Sequence, residues 1–105
     1  MADHLVQILL PSFDNDGQPF GAAAYDPVRT ELTERFGGLT AFTRAPAEGL
    51  WKDEGDRPKA DDVMVFEVMA PGALNEAWWR AYRGRLKAEF RQERIVVRAQ
   101  AIRLL

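Results

Sequence analysis

An α+β fold of element order β-α-β-β-α-β is predicted for this 105-residue chain by three observations. Residues 4–10 and 63–69 are short runs rich in aliphatic and β-branched side chains, as buried strands are. Residues 26–36 and 74–90 repeat apolar side chains at intervals of three and four, the spacing of one helical face. Glycine, proline, asparagine and aspartate cluster between these segments, where turns are needed.

The first strand, 4–10, holds Leu5, Val6, Ile8, Leu9 and Leu10, ends at Pro11, and reads as a central strand buried on both faces. Residues 12–20, with Asn15-Asp16-Gly17 and Pro19, form a surface loop. Asp26-Pro27 then predicts the start of the first helix, Asp26 capping free amides and Pro27 taking the first helical position. Val28, Leu32 and Phe36 are its inward stripe and Gly37-Gly38 its stop. A second strand runs from Leu39 to Thr43 or Arg44. Pro46 cannot donate to a ladder, so this strand is expected at an edge, or bulged, with pairing resumed near Leu50-Trp51. The third strand is 63–69, with Glu67 its one charge. Pro71-Gly72, Asn75 and Glu76 open the second helix, whose stripe is Leu74, Trp78, Tyr82, Leu86 and Phe90 with Trp79 at its edge. The period becomes strand-like again from Ile95 to Ile102. Two crossovers and short loops then give a ferredoxin-like sandwich, an antiparallel sheet ordered 4-1-3-2 with both helices on one face. The chain is expected to form one domain over 1–105.

Composition narrows the function classes. Forty-seven per cent hydrophobic and 29% charged residues match an ordinary globular protein. No apolar run approaches a membrane span, and no secretory leader is visible, so a cytoplasmic location without membrane contact is expected. Without cysteine there is no disulfide, thiolate nucleophile or zinc-thiolate site in this sequence, and one histidine leaves no histidine-rich metal site. Neither a metal nor a cofactor is expected. The net charge of −2 is uneven: from Glu76 onward eight Lys or Arg face three Glu, a local +5 that leaves −7 before it. Arg80, Arg83, Lys87 and Arg91 fall on one helical face opposite the apolar stripe and read as a solvated helix face, with a phosphate-binding surface as the alternative. RNA-recognition domains of this topology place aromatics on the two central strands, whereas those positions are mainly aliphatic here. A nucleic-acid partner is therefore not expected.

The sheet face away from the helices is the more informative region. Alternation puts Val6, Ile8 and Leu10 with Met64, Phe66 and Val68 on one face. It puts Leu5, Gln7 and Leu9 with Val63, Val65, Glu67 and Met69 on the other, which carries the polar pair and is expected to be open. An apolar open face of this kind marks an interface, so a homodimer packed sheet against sheet is expected. Gln7 and Glu67, with Arg98 or Gln100 on the last strand, could line a small-ligand pocket within it. If buried, Glu67 would be raised in pKa and become a candidate catalytic acid or base, against the plainer alternative of a Glu67–Arg98 ion pair. On the irregular second strand, Arg44 could hold an acidic group and Trp51 could stack on a planar guest, or Trp51 could simply cover the sheet edge with Arg44 paired to Glu48. His4, at the start of the first strand, is expected at the surface.

The stretches ERFGGLTAFTRAPAEGLWKD (34–53) and AWWRAYRGRLKAEFRQERIVVRA (77–99) resemble a family of small uncharacterised bacterial proteins. The resemblance implies a ferredoxin-like or dimeric α/β-barrel fold and carries no catalytic residues with it. The expected function is a homodimeric domain binding a small molecule or protein partner at the sheet face or the bulged second strand. The alternative is a small dimeric-barrel enzyme, monooxygenase-like, acting on a small acidic or aromatic substrate, with fold analogy as its warrant.

Overall fold

The computed structural model describes residues 3–44 and 63–105. The order is β1 (Asp3–Pro11), α1 (Ala22–Phe36), β2 (Thr40–Arg44), β3 (Val63–Ala70), α2 (Glu76–Glu89) and β4 (Val96–Ile102). The four strands form one antiparallel sheet in the order β2-β3-β1-β4, the predicted 4-1-3-2 arrangement viewed from the other edge. Both helices pack on one face, and the fold is the ferredoxin-like α+β sandwich expected from the sequence.

One-sided covering decides what β1 can bury. Val6, Ile8 and Leu10 point to the helices and are buried, while Leu5, Gln7 and Leu9 between them are only half-buried. The expectation that β1 is buried on both faces is thus corrected to a plain alternation. Phe66 and Val68 of β3 join the inward set, and Tyr25, Val28 and Leu32 of α1 close over it.

Helix α1 starts five residues earlier than Asp26-Pro27 implies. Gly21 precedes its first turn and Pro27 lies inside it. Asp26 is exposed and Gly21, not Asp26, occupies the cap position. The added turn is held by Tyr25, which is buried and whose hydroxyl donates to the Pro11 carbonyl at 2.6 Å. That bond ties the helix start to the end of β1. Pro27 still sits close enough to the N-terminus that it removes a single interior bond, accepted by a carbonyl on the exposed Ala23. The stop is as expected: Gly37 adopts φ 81°, a left-handed geometry natural to glycine, and its amide donates to Thr33.

Asn75 caps α2, its side-chain oxygen accepting from the Trp78 amide at 3.1 Å. Such a cap is worth about 1 kcal/mol. The buried stripe of α2 is Trp79, Tyr82 and Leu86, continued by Phe90; Trp78 is only half-buried. The two tryptophans therefore exchange the places expected for them. Trp79 stacks on Phe36 at 5.2 Å, whereas Trp78 lies over Tyr82 at 4.9 Å with the Arg35 guanidinium 4.1 Å from its ring. A cation over an outer indole offsets its partial exposure. Arg85 also grips Glu31 across the helix pair, at 2.6 and 3.1 Å. This pair is partly exposed, so it sets orientation more than stability.

Tyr25 and Tyr82 are the chain's two tyrosines, and both are buried. Burial raises the phenol of Tyr25 above its ordinary range. Among the described residues the Tyr82 hydroxyl has no hydrogen-bond partner, and its pKa is raised strongly, chiefly by desolvation and then by Glu31, with Arg85 opposing. The folded state therefore keeps protons that the unfolded chain releases near pH ~10. Stability should be intact below that pH and fall as pH rises beyond it. Ultraviolet titration is expected to show almost no tyrosinate in the native protein until unfolding begins. Ordinary phenol titration in the still-folded protein would contradict this packing.

Candidate functional site

The sheet face away from the helices carries one polar rung between apolar ones. Strand register sets Thr40 opposite Glu67, Glu67 opposite Gln7, and Gln7 opposite Arg98, a straight line across all four strands. Side chains directly opposite on one face lie close enough to touch. Here they are linked: the Gln7 amide nitrogen donates to Glu67 Oε2 at 2.5 Å, and Arg98 Nε donates to Gln7 Oε1 at 2.8 Å. The amide is oriented by its neighbours' chemistry, since its donor meets a carboxylate and its acceptor meets a guanidinium. Both bonds are assisted by a full charge.

The three residues singled out on the central and last strands are thus brought together, but not as anticipated. Gln7 stands between Glu67 and Arg98, so the relay replaces a direct Glu67–Arg98 pair. Glu67 is half-buried, not enclosed, so the burial on which its role as catalytic acid or base was premised is not met. The relay uses one Glu67 oxygen and the Nε of Arg98.

Apolar rungs flank this line. On one side Phe42, Val65, Leu9 and Val96 align, and on the other Met69, Leu5 and Gln100. Phe42, Met69 and Val96 are 40, 53 and 42% exposed, respectively, whereas Val65 is 1% exposed. A charge at Val65 would therefore damage the folded chain itself, and this position cannot report on an interface.

The other sequence candidates lie elsewhere. Arg44 ends β2 opposite Val63, displaced along the strand from the rung that Glu67 shares with Thr40. Trp51, and the proposed bulge at Pro46, lie outside the described residues. His4 is half-buried, with Nδ1 2.9 Å from the Gly72 carbonyl; beside it Asp3 accepts from the Gly72 amide at 3.1 Å. The two staple the β3–α2 turn to β1. Among the described residues no group of three or more His, Asp or Glu could hold a metal, and no helix is long and apolar enough to cross a membrane. Thr40 was missed as a member of the polar line, because its place depends on the β2–β3 register.

The fold has a solved counterpart. A phage SAM lyase in complex with S-methyl-5′-thioadenosine superposes with a TM-score of 0.63 at 12% identity, over 95% of this chain and 81% of that one. At that identity the likeness establishes the shared α+β fold. No family model matches the sequence, and no curated protein matches it. The expected membership in a family of small bacterial proteins therefore rests on the sequence resemblance alone.

Proposed function

We propose that the chain is a small-molecule-binding domain whose site is the Arg98–Gln7–Glu67 line, closed over by a second copy of the chain. The relay carries this reading. A carboxylate, an amide and a guanidinium, held in register between apolar rungs, present acceptor and donor groups along one edge of a greasy surface. A ligand with a flat apolar body and a polar rim matches that pattern. Nucleosides have this character: a ring to lie on Leu5, Leu9 or Phe42, and hydroxyls to donate to Glu67. The bound thioadenosine of the fold's solved counterpart belongs to the same chemical class, which makes S-methyl-5′-thioadenosine the first compound to test.

The exposed Phe42, Met69 and Val96 support closure by a second copy, since an apolar rim left in water favours association. Met69→Lys is expected to shift the protein to monomer in sedimentation while leaving its circular dichroism unchanged; an unaltered dimer would rule out this packing. Titration calorimetry with S-methyl-5′-thioadenosine is expected to show saturable binding that Glu67→Gln weakens by about tenfold or more, because a charged acceptor becomes a neutral amide. Binding indifferent to that change would remove Glu67 from the site.

A further inference from the structure

A concavity lies on the helix side of β4, under the edge of α2. It opens because β4 turns Val97 and Ala99 towards the helix, and the alanine is too short to fill the space beneath it. The resulting groove is about 350 Å³, within the range of small-ligand sites. Val6, Leu74, Trp79 and Val97 give it an apolar lining. Arg80 and Arg83 line it from the helix, Arg98 from the strand, and Glu76 is its one carboxylate.

We propose that this groove binds a small organic anion, an apolar or aromatic body bearing one carboxylate or phosphate. Arg80 and Arg83 are three apart on α2 and so lie on one side of the helix. The guanidiniums of Arg80 and Arg83 against a single carboxylate leave a net positive mouth above an apolar lining, while the Arg98 guanidinium is turned to Gln7 on the other face. Guanidinium forks match the planar oxygens of carboxylates and the tetrahedral ones of phosphates. Arg80 is held by Glu76 at 3.1 Å, one helical turn back, and both side chains are well exposed. Glu76 therefore competes with an incoming anion for Arg80, and its removal strengthens binding. An ordinary solvated helix face would not show that sign. The groove and the open-face relay lie on opposite sides of the sheet, the α2 residues on the helix side and Gln7 and Glu67 on the other, with Arg98 of β4 bordering both.

The test is an amide chemical-shift titration of isotopically labelled protein with phenyl phosphate, benzoate and phenol. At least one of the two anions is expected to shift the amides of Leu74, Trp79, Val97 and Ala99 and to saturate, with phenol weaker by about tenfold or more. Phosphate and carboxylate sources are distinguished by which anion binds more tightly. Arg83→Gln should weaken binding by about tenfold, Glu76→Gln should tighten it severalfold, and Arg94→Gln, outside the groove, should leave it unchanged. Open-face binding is read from the amides of Gln7 and Glu67 and groove binding from those of Leu74 and Trp79, so failure at the open face and failure here are distinguishable. Shifts outside the groove, equal binding of phenol, or indifference to both Arg83→Gln and Glu76→Gln would overturn the proposal. Arg83 and Glu76 are exposed, so neither substitution threatens the fold.

Discussion

Gln7→Leu is expected to weaken binding at the open face by at least about tenfold while leaving the fold's stability nearly unchanged. Gln7 is the only residue of the polar line bonded to both charged neighbours, so its loss disconnects Arg98 from Glu67. Leucine has similar volume and suits a strand flanked by Leu5 and Leu9, so packing is preserved. The stranded charges do not become costly, because Glu67 is half-buried and Arg98 exposed, and water can replace the lost bonds. Function and stability should therefore separate. Calorimetric titration against S-methyl-5′-thioadenosine, paired with urea denaturation, reads both. Equal loss of both would mean that the relay is merely structural.

Phe66→Ala should do the reverse. Phe66 is fully buried at the centre of β3, paired with Ile8 on one side and Ala41 on the other. Its ring lies 6.0 Å from that of Tyr25, and the Arg29 guanidinium covers it at 5.3 Å. Truncating such a ring costs about 3–5 kcal/mol, through lost transfer energy and the cavity left behind. Against a typical total of about 5–15 kcal/mol, that is a large share of the stability. The urea midpoint should fall by that loss divided by the slope, with the slope itself unchanged. Phe66→Leu keeps more of the volume and should cost distinctly less. A loss under about 1 kcal/mol for Phe66→Ala would contradict the central position of this side chain.

Much of the framework can be read from residue order. Alternation told the inward Val6, Ile8, Leu10, Phe66 and Val68 from their outward neighbours, because the helices cover one parity; the exception is Val65, which is buried although it lies on the other face. Gly37 marked the end of α1 because a left-handed φ has few other occupants. The start of α1 was misplaced for an equally physical reason. Asp26-Pro27 has the chemistry of a helix start, yet Tyr25 gains more from burial and from its bond to Pro11 than the chain loses by carrying a proline one turn inside. Trp78 and Trp79 are adjacent on the helix, about 100° apart, so either phase of the stripe satisfies the spacing. Only packing against Phe36 decides between them.

The candidate site was half legible. Parity placed Gln7 and Glu67 on one face, and topology made β1 and β3 neighbours. The order of the relay was not legible, because it depends on β4 meeting β1 with Arg98 directly opposite Gln7. The arginine groove was hidden more completely. The α2 arginines have the pattern of a solvated face, and they become a site only where the small side chains of β4 leave space beneath the helix.

The central claim is that the polar line across the open face is a ligand site, and the most direct test is to map binding residue by residue. Amide shifts of labelled protein would be followed as S-methyl-5′-thioadenosine is added, with Gln7→Leu alongside. The expected result is saturable shifts centred on Gln7, Glu67, Thr40 and Arg98, absent or strongly weakened in Gln7→Leu. Shifts elsewhere on the molecule, or the same shifts in both proteins, would contradict the assignment.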